Sequence, residues 1–425
     1  MTTRRFRRPL LPFVVAAAMA AACVPAAAST PIPTLTPTPT PSSSSPTASP
    51  VAVTPAPTST PSPTPARTPS PTAVASCAEQ ILASMTEAQR VGQLFVLGLA
   101  KNQLNAAERA AIARYHIGSM TFTQQTAVGV VAIRKITDSV QALATRDATD
   151  GVRFFIAANQ EGGLIQGLSG PGFDVIPSAV TQGTWSPSLL ESRAARWGAQ
   201  LLKAGVNFDF APVADVVPPG TDAENAPIGQ LKREYGHDPA TVASHVVAFV
   251  EGMTKAGVAT SAKHFPGLGR VVANTDSAAD VVDTVTTRHD PYLKPFAAAV
   301  HAGVPFVMVS LATYEKIDPD HLAVFSPTIV DGMLRGDLGF NGVVISDALG
   351  GAKAIVAIPP ATRAIDFLNA GGDLIISNQV VPATEMAQAL ATRAAAKPSF
   401  ATRVDDAALH VLEAKEAAGL LPCGG

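Results

Sequence analysis

The sequence predicts an α/β chain organised as one closed barrel of eight parallel strands, each followed by a helix. Three observations predict it. Short apolar runs alternate eight times with Ala-rich amphipathic stretches of helical spacing, the pattern of strands wrapped by crossover helices. Several of the runs end in polar residues, where such a barrel has its ligand mouth. No Gly-x-Gly-x-x-Gly turn follows the first run, so a dinucleotide-binding open sheet has no support. At 425 residues with 47% apolar content, the chain can bury a large core, and a single (β/α)8 barrel of TIM type can occupy most of it. A net charge of −2 offers no basis for binding nucleic acid.

The elements follow in order. Arg4, Arg5, Arg7 and Arg8 form a positive n-region, and Leu10 to Met19 an apolar h-region too short to span a bilayer. Ala20-Ala-Ala-Cys23 resembles a bacterial lipobox, in which cleavage precedes a cysteine that takes lipid; Ala20 replaces the usual branched residue. Residues 1–22 are therefore expected to be a lipoprotein signal peptide and Cys23 the lipid-bearing residue, which would place the protein on the outer face of the plasma membrane. Ordinary signal cleavage near Ala26 to Ala28, giving a secreted protein, is the alternative. Residues 23–75 are a Pro/Thr/Ser-rich tether: from Ser29 onward they lack periodicity and large apolar residues, cannot bury a core and favour extended backbone. An O-glycosylated stalk is the second possibility.

Residues 76–425 form the predicted barrel. Thr86-Glu-Ala-Gln89 has capping-box spacing. The eight strand candidates are Gly92–Leu99, Ile117–Phe122, Arg153–Ala158, Val206–Val213, Val258–Lys263, Pro305–Ser310, Gly342–Ser346 and Asp373–Ser377. Leu189–Leu202 and Thr241–Met253 are among the helices between them. Only a short helical tail is expected after the eighth strand, with no room there for a second α/β domain. If Cys23 carries lipid, Cys77 and Cys423 remain as a pair in an oxidising compartment. They flank the barrel region, whose closure brings its ends together, so a Cys77–Cys423 disulfide is predicted, with two free thiols the alternative.

The chemistry concentrates at strand ends. The fifth run leads into Ser261-Ala-Lys-His-Phe-Pro-Gly-Leu-Gly-Arg-Val-Val-Ala-Asn-Thr-Asp276, which sets Lys263 and His264 where strand becomes loop. The seventh, Gly342-Val-Val-Ile-Ser-Asp347, is a buried run ending in a carboxylate. An ionised carboxylate there needs compensating partners, which suggests a held nucleophile or a metal ligand. No spaced His/carboxylate cluster supports a metal.

The first stretch resembles the Lys-His-Phe-Pro-Gly-His-Gly signature of family 3 glycoside hydrolases, in their β-N-acetylhexosaminidase branch. Ala158-Asn-Gln-Glu-Gly-Gly163 resembles the family's Asp-Gln-Glu-Gly-Gly segment. Val206–Asp215 resembles Asn-Phe-Ala-Pro-Val-x-Asp, and Arg233-Glu-Tyr-Gly-His-Asp-Pro239 resembles Arg-Ser-Phe-Gly-x-Asp-Pro. The resemblance covers about residues 79–380. It implies a retaining exo-glycosidase acting on β-linked N-acetylglucosamine. Asp347 would be the nucleophile, and Lys263, His264, Arg233 and Asn159 would hold sugar hydroxyls. Glu161 and Asp215 are read as loop-holding carboxylates. No cofactor is implied, and a monomer is expected.

The acid/base loop departs from the family. Where the family has Asp-Ser-His, ungapped counting from Lys263 gives Asn274, Thr275 and Asp276, so the carboxylate of Asp276 occupies the position of the proton-transferring His. Asp276 is expected to be the general acid/base, with its pKa raised by burial. Sliding the loop by two residues would instead put Ala278 there and leave no acid/base. Leu164, Gly167, Leu268 and Leu311 also stand where the family has Arg, Arg, His and His. Because stranded buried donors would cost about 1–3 kcal/mol each, this set of changes suggests altered specificity. The expected function is a hexosaminidase on cell-wall fragments, the last by analogy of family and location. A non-catalytic wall-glycan-binding lipoprotein is the alternative.

Overall fold

The eight apolar runs pair edge to edge into a closed parallel barrel in a computed structural model that describes residues 75–424. The signal peptide, the tether and Cys23 lie outside the described residues. The strands are β1 Phe95–Leu99, β2 Ser119–Phe122, β3 Phe155–Ala158, β4 Phe208–Asp209, β5 Ala259–Phe265, β6 Phe306–Val309, β7 Val343–Ala348 and β8 Leu374–Ser377. Each lies beside its neighbour in sequence, and β1 closes on β8 with Phe95 opposite Ile375. Alternate side chains fill the interior. Phe155, Phe208 and Phe306 meet there with ring centroids 5.6, 5.4 and 4.2 Å apart, a packed centre rather than a pore.

The outer ring follows from amphipathic spacing. In helix Pro187–Lys203, Ser186 accepts the Leu189 N–H as N-cap and Pro187 starts the helix. Leu190, Ala194, Trp197 and Leu201 recur at helical spacing and are buried. This helix packs on Pro239–Ala256, where Gly252 is required by close approach: a Cβ there would lie 2.3 Å from the Glu191 carbonyl oxygen.

Three expectations change. The first strand begins at Phe95, because Gly92 and Gln93 finish helix Glu87–Gln93; the Thr86 capping box starts that helix, and its periodicity runs directly into the strand. The fourth shows ladder pairing only at Phe208–Asp209, since Pro212 has no N–H to donate, and Val213 returns as a single bridge to Lys263. The expected short tail is two helices, Val380–Ala396 and the 20-residue Pro398–Ala417, separated by a break at Lys397. The second packs on the first helix, Cys77–Ser84. There Glu416 accepts the N–H groups of Cys77 and Ala78 at 3.3 and 3.1 Å. Cys77 and Cys423 are joined by a disulfide, with Cα atoms 6.0 Å apart.

Candidate active site

The ends of β3, β4, β5 and β7 and the loops after them enclose a cavity of about 230 Å³ at the C-terminal mouth. Asn159, Arg233, Lys263, His264, Asp276 and Asp347 all line it, so the barrel brings together every sugar-contact and catalytic candidate read from the sequence.

A buried ion cluster supports one wall. Lys263, 2% exposed, sits near the end of β5, with its Nζ 2.6 Å from Glu161 Oε1 and 2.9 Å from Asn159 Oδ1. Arg233 grips the same carboxylate with two prongs, Nε to Oε2 at 2.8 Å and the guanidinium end to Oε1 at 2.7 Å. Burial opposes the Glu161 charge, but the charges and hydrogen bonds of Arg233 and Lys263 prevail and pull its pKa down to about 2. Glu161 therefore does more than orient its loop: it anchors both site cations. The sequence shows it only as a carboxylate beside a Gly-Gly turn, and its partners lie 72 and 102 positions downstream.

Asp215 is the loop-holding residue expected of it. Fully buried, it accepts N–H groups from His264 and Leu268 at 3.1 and 2.7 Å and pairs with His264 Nδ1 at 2.8 Å. That contact orients the imidazole and leaves Nε2 without a protein partner among the described residues.

The two candidate catalytic carboxylates approach from different elements. Asp347 ends β7 and accepts the Ala348 N–H at 2.7 Å. Asp276 rides a tight turn in which Asn274 Oδ1 accepts the Asp276 N–H at 2.9 Å. The residue is exposed over much of its surface, yet it lines the cavity. Burial of that group and the nearby Asp347 charge raise its pKa, against the pull of His264, Arg233 and Lys263. Asp276 lines the cavity whereas Ala278 does not.

The sequence reading missed Thr121, Thr123 and Asn378, which line the cavity at the ends of β2 and β8, and the apolar Phe210, Met308 and Ile376. Polar residues at the end of every run, rather than of selected runs, were the available signal for the first three. Of the departures from the family pattern, Leu268 lines the cavity, Leu164 is exposed, and Leu311 is fully buried in the core.

The sequence profile of the glycosyl hydrolase family 3 N-terminal domain matches residues 86–414. The chain belongs to glycosyl hydrolase family 3. Among solved family 3 relatives, the β-N-acetylhexosaminidase of Beutenbergia cavernae DSM 12333 is 46% identical with a TM-score of 0.77, over 79% of this chain and 99% of that one. A family 3 β-N-acetylglucosaminidase of Paenibacillus sp. str. FPU-7 is 27% identical with a TM-score of 0.70, over 79% of this chain and 63% of that one. A curated β-hexosaminidase of Stenotrophomonas maltophilia (strain K279a) is 30% identical over 294 residues, which is 67% of this chain and 82% of that protein. As a family 3 member the protein is a glycoside hydrolase, and a carbohydrate is its substrate.

Proposed function

We propose that this family 3 barrel is a retaining β-N-acetylhexosaminidase with Asp347 as nucleophile and Asp276 as general acid/base. One observation carries the assignment: Asp347 and Asp276, on different elements, line one cavity, and burial together with the charge of Asp347 raises the pKa of Asp276. A carboxyl whose pKa is raised suits the proton-donating role, and Asp347, at the end of a buried strand, is left as the nucleophile. Asp347 attacks the anomeric carbon while Asp276 gives its proton to the departing glycosidic oxygen, leaving a glycosyl ester on Asp347. Asp276, now ionised, takes a proton from water as the water oxygen bonds to that carbon, and Asp347 leaves as carboxylate. Asn159, Lys263, Arg233 and His264 hold the sugar so that binding is spent on orientation. Similarity to β-N-acetylhexosaminidases supports a β-linked N-acetylglucosamine substrate.

The export signal, the tether and Cys23 support a lipid-anchored enzyme outside the plasma membrane, where cell-wall fragments are the available amino sugars. The Cys77–Cys423 disulfide fits such a compartment. Labelling with a fatty-acid analogue, lost in Cys23→Ser, tests the anchor; label that persists in the variant refutes it.

The activity test is hydrolysis of a fluorogenic β-N-acetylglucosaminide by the full chain. Turnover is expected to fall by at least about 10³-fold in Asp347→Ala. Asp276→Asn should lose the basic limb of the pH–rate profile and regain turnover with azide on an activated substrate. An unchanged profile removes Asp276 from the mechanism. Absence of turnover alongside retained sugar binding makes the protein a glycan binder.

A further inference from the structure

Asp276 stands in the loop that follows β5 and lines the cavity with Asp347. The loop is held from outside. The Lys353 N–H donates to the Asp276 carbonyl at 3.2 Å, and the Ala354 N–H donates to the Thr275 carbonyl at 3.0 Å. Both donors belong to the segment that leaves β7, six and seven residues after Asp347. That segment is itself cinched. Arg363, 4% exposed, donates to the carbonyls of Leu349 at 2.8 Å, Ile358 at 2.7 Å and Val356 at 3.3 Å. Three carbonyls of one loop on one buried guanidinium leave it little freedom. Asn274 completes the turn, its Oδ1 on the Asp276 N–H and its carbonyl oxygen on the N–H groups of Ser277 and Ala278.

We infer that residues 349–358 form a backbone latch which registers the acid/base against the nucleophile, with Lys353 acting through its N–H and Arg363 through the loop it cinches. Both are positioning residues, and the inference rests on the reading of Asp276 as acid/base. The latch makes one piece of chain responsible for both carboxylates: it continues the strand that ends in Asp347 and clasps the loop that carries Asp276. A sugar that is to be attacked by one and protonated by the other then meets a fixed pair. Misplacement of a catalytic group by about 1 Å costs on the order of a hundredfold in rate.

The geometry permits a test that acts at one hydrogen bond and its acceptor. Lys353 is the first residue of a 3-10 turn, where proline is accommodated. Ala352 before it is extended, with φ −60° and ψ 142°, as proline requires of its predecessor. Lys353→Pro therefore suits the backbone of the latch, deletes the N–H to Asp276 and turns the ring Cδ against the Asp276 carbonyl, which must move away; a cooperative thermal transition like that of the wild type verifies the fold. Lys353→Ala keeps the N–H and isolates the side chain.

The measurement is kcat/KM of the full chain on N,N′-diacetylchitobiose, whose leaving group needs a proton, and on a dinitrophenyl β-N-acetylglucosaminide, whose leaving group does not. The Lys353→Pro variant is expected to lose roughly ten- to a hundredfold on the disaccharide and at most about a tenth of that factor on the aryl glycoside. Lys353→Ala should lose far less than Lys353→Pro. In an Asp276→Asn background the proline should add no further loss, because there is no acid left to misplace. Equal losses on both substrates, or full additivity with Asp276→Asn, would overturn the latch. If Asp276→Asn is impaired on the disaccharide and Lys353→Pro is not, the latch alone fails. If Asp276→Asn is not impaired, the acid/base reading fails and the latch with it.

Discussion

Two lysines are buried at opposite ends of this barrel, and they are treated differently. At the mouth, Lys263 is ion-paired to Glu161 and bonded to Asn159, with Arg233 on the same carboxylate. At the floor, where β1 and β2 begin, Lys415 has no carboxylate partner among the described residues. Its Nζ donates to Gln93 Oε1 at 2.7 Å and the Gly118 carbonyl at 2.8 Å, and burial lowers its pKa to about 7. A buried charge persists where opposite charge compensates its lost hydration, and where it does not, the proton becomes easy to lose. The mouth pairs its cations with a carboxylate beside the cavity that a polar ligand would enter. The floor uses a lysine as a long hydrogen-bond donor that ties the C-terminal helix to the strand starts.

The sharpest way to break that contrast is Glu161→Gln. It leaves Lys263 and Arg233 buried without their carboxylate, and loss of one member of such a cluster costs about 3–5 kcal/mol. A fall in melting temperature together with at least about a hundredfold loss in kcat/KM is expected. Normal activity would show that the cluster is scaffold only.

Opening the disulfide tests the floor end separately. Cys423→Ser frees Cys77 and should remove about 2–4 kcal/mol of stability, read from chemical denaturation, while kcat/KM on the fluorogenic substrate is retained. A comparable loss of kcat/KM would mean that the floor reaches the mouth.

The effect that is smallest per pH unit is also the most specific. The folded-state pKa of Lys415, about 7, lies below its unfolded value of about 10.4. Between those values the unfolded chain holds a proton that the folded chain has released. This lysine therefore makes stability rise with pH from about 7 to 10, by at most about 1.4 kcal/mol per unit. Lys415→Met should flatten that slope, seen in denaturation midpoints across the range, and leave activity unchanged. A slope identical to the wild type would show that Lys415 stays ionised when buried.

The positions of the eight strands were legible because a strand buried on both faces must be a short apolar run, and the run is visible wherever it falls. The helix start at Thr86 was equally local, set by a side chain answering an N–H three residues on. Asp347 could be found because a carboxylate closing an apolar run has to be functional or compensated. The boundaries that slipped did so where two local rules met, at Gly92–Gln93 and at Pro212.

What the sequence by itself determined, then, is the barrel and the candidate nucleophile, which follow from burial and hydrogen bonding within a few residues, while Asn159 and Arg233 were placed at the mouth by the family resemblance. Tertiary structure alone decided which charges meet. Glu161 could have faced any of several cations, and only closure of the ring puts Lys263 and Arg233 on it. Likewise Lys415 falls on the buried stripe of its helix with Val404, Ala408 and Val411, but nothing local names the oxygens it meets, and the peptide groups of Lys353 and Ala354 carry no mark at all. Coulomb and hydrogen-bond partners are chosen by distance in space, and the strand ends of a closed barrel bring together residues whose separation along the chain contains no record of that distance.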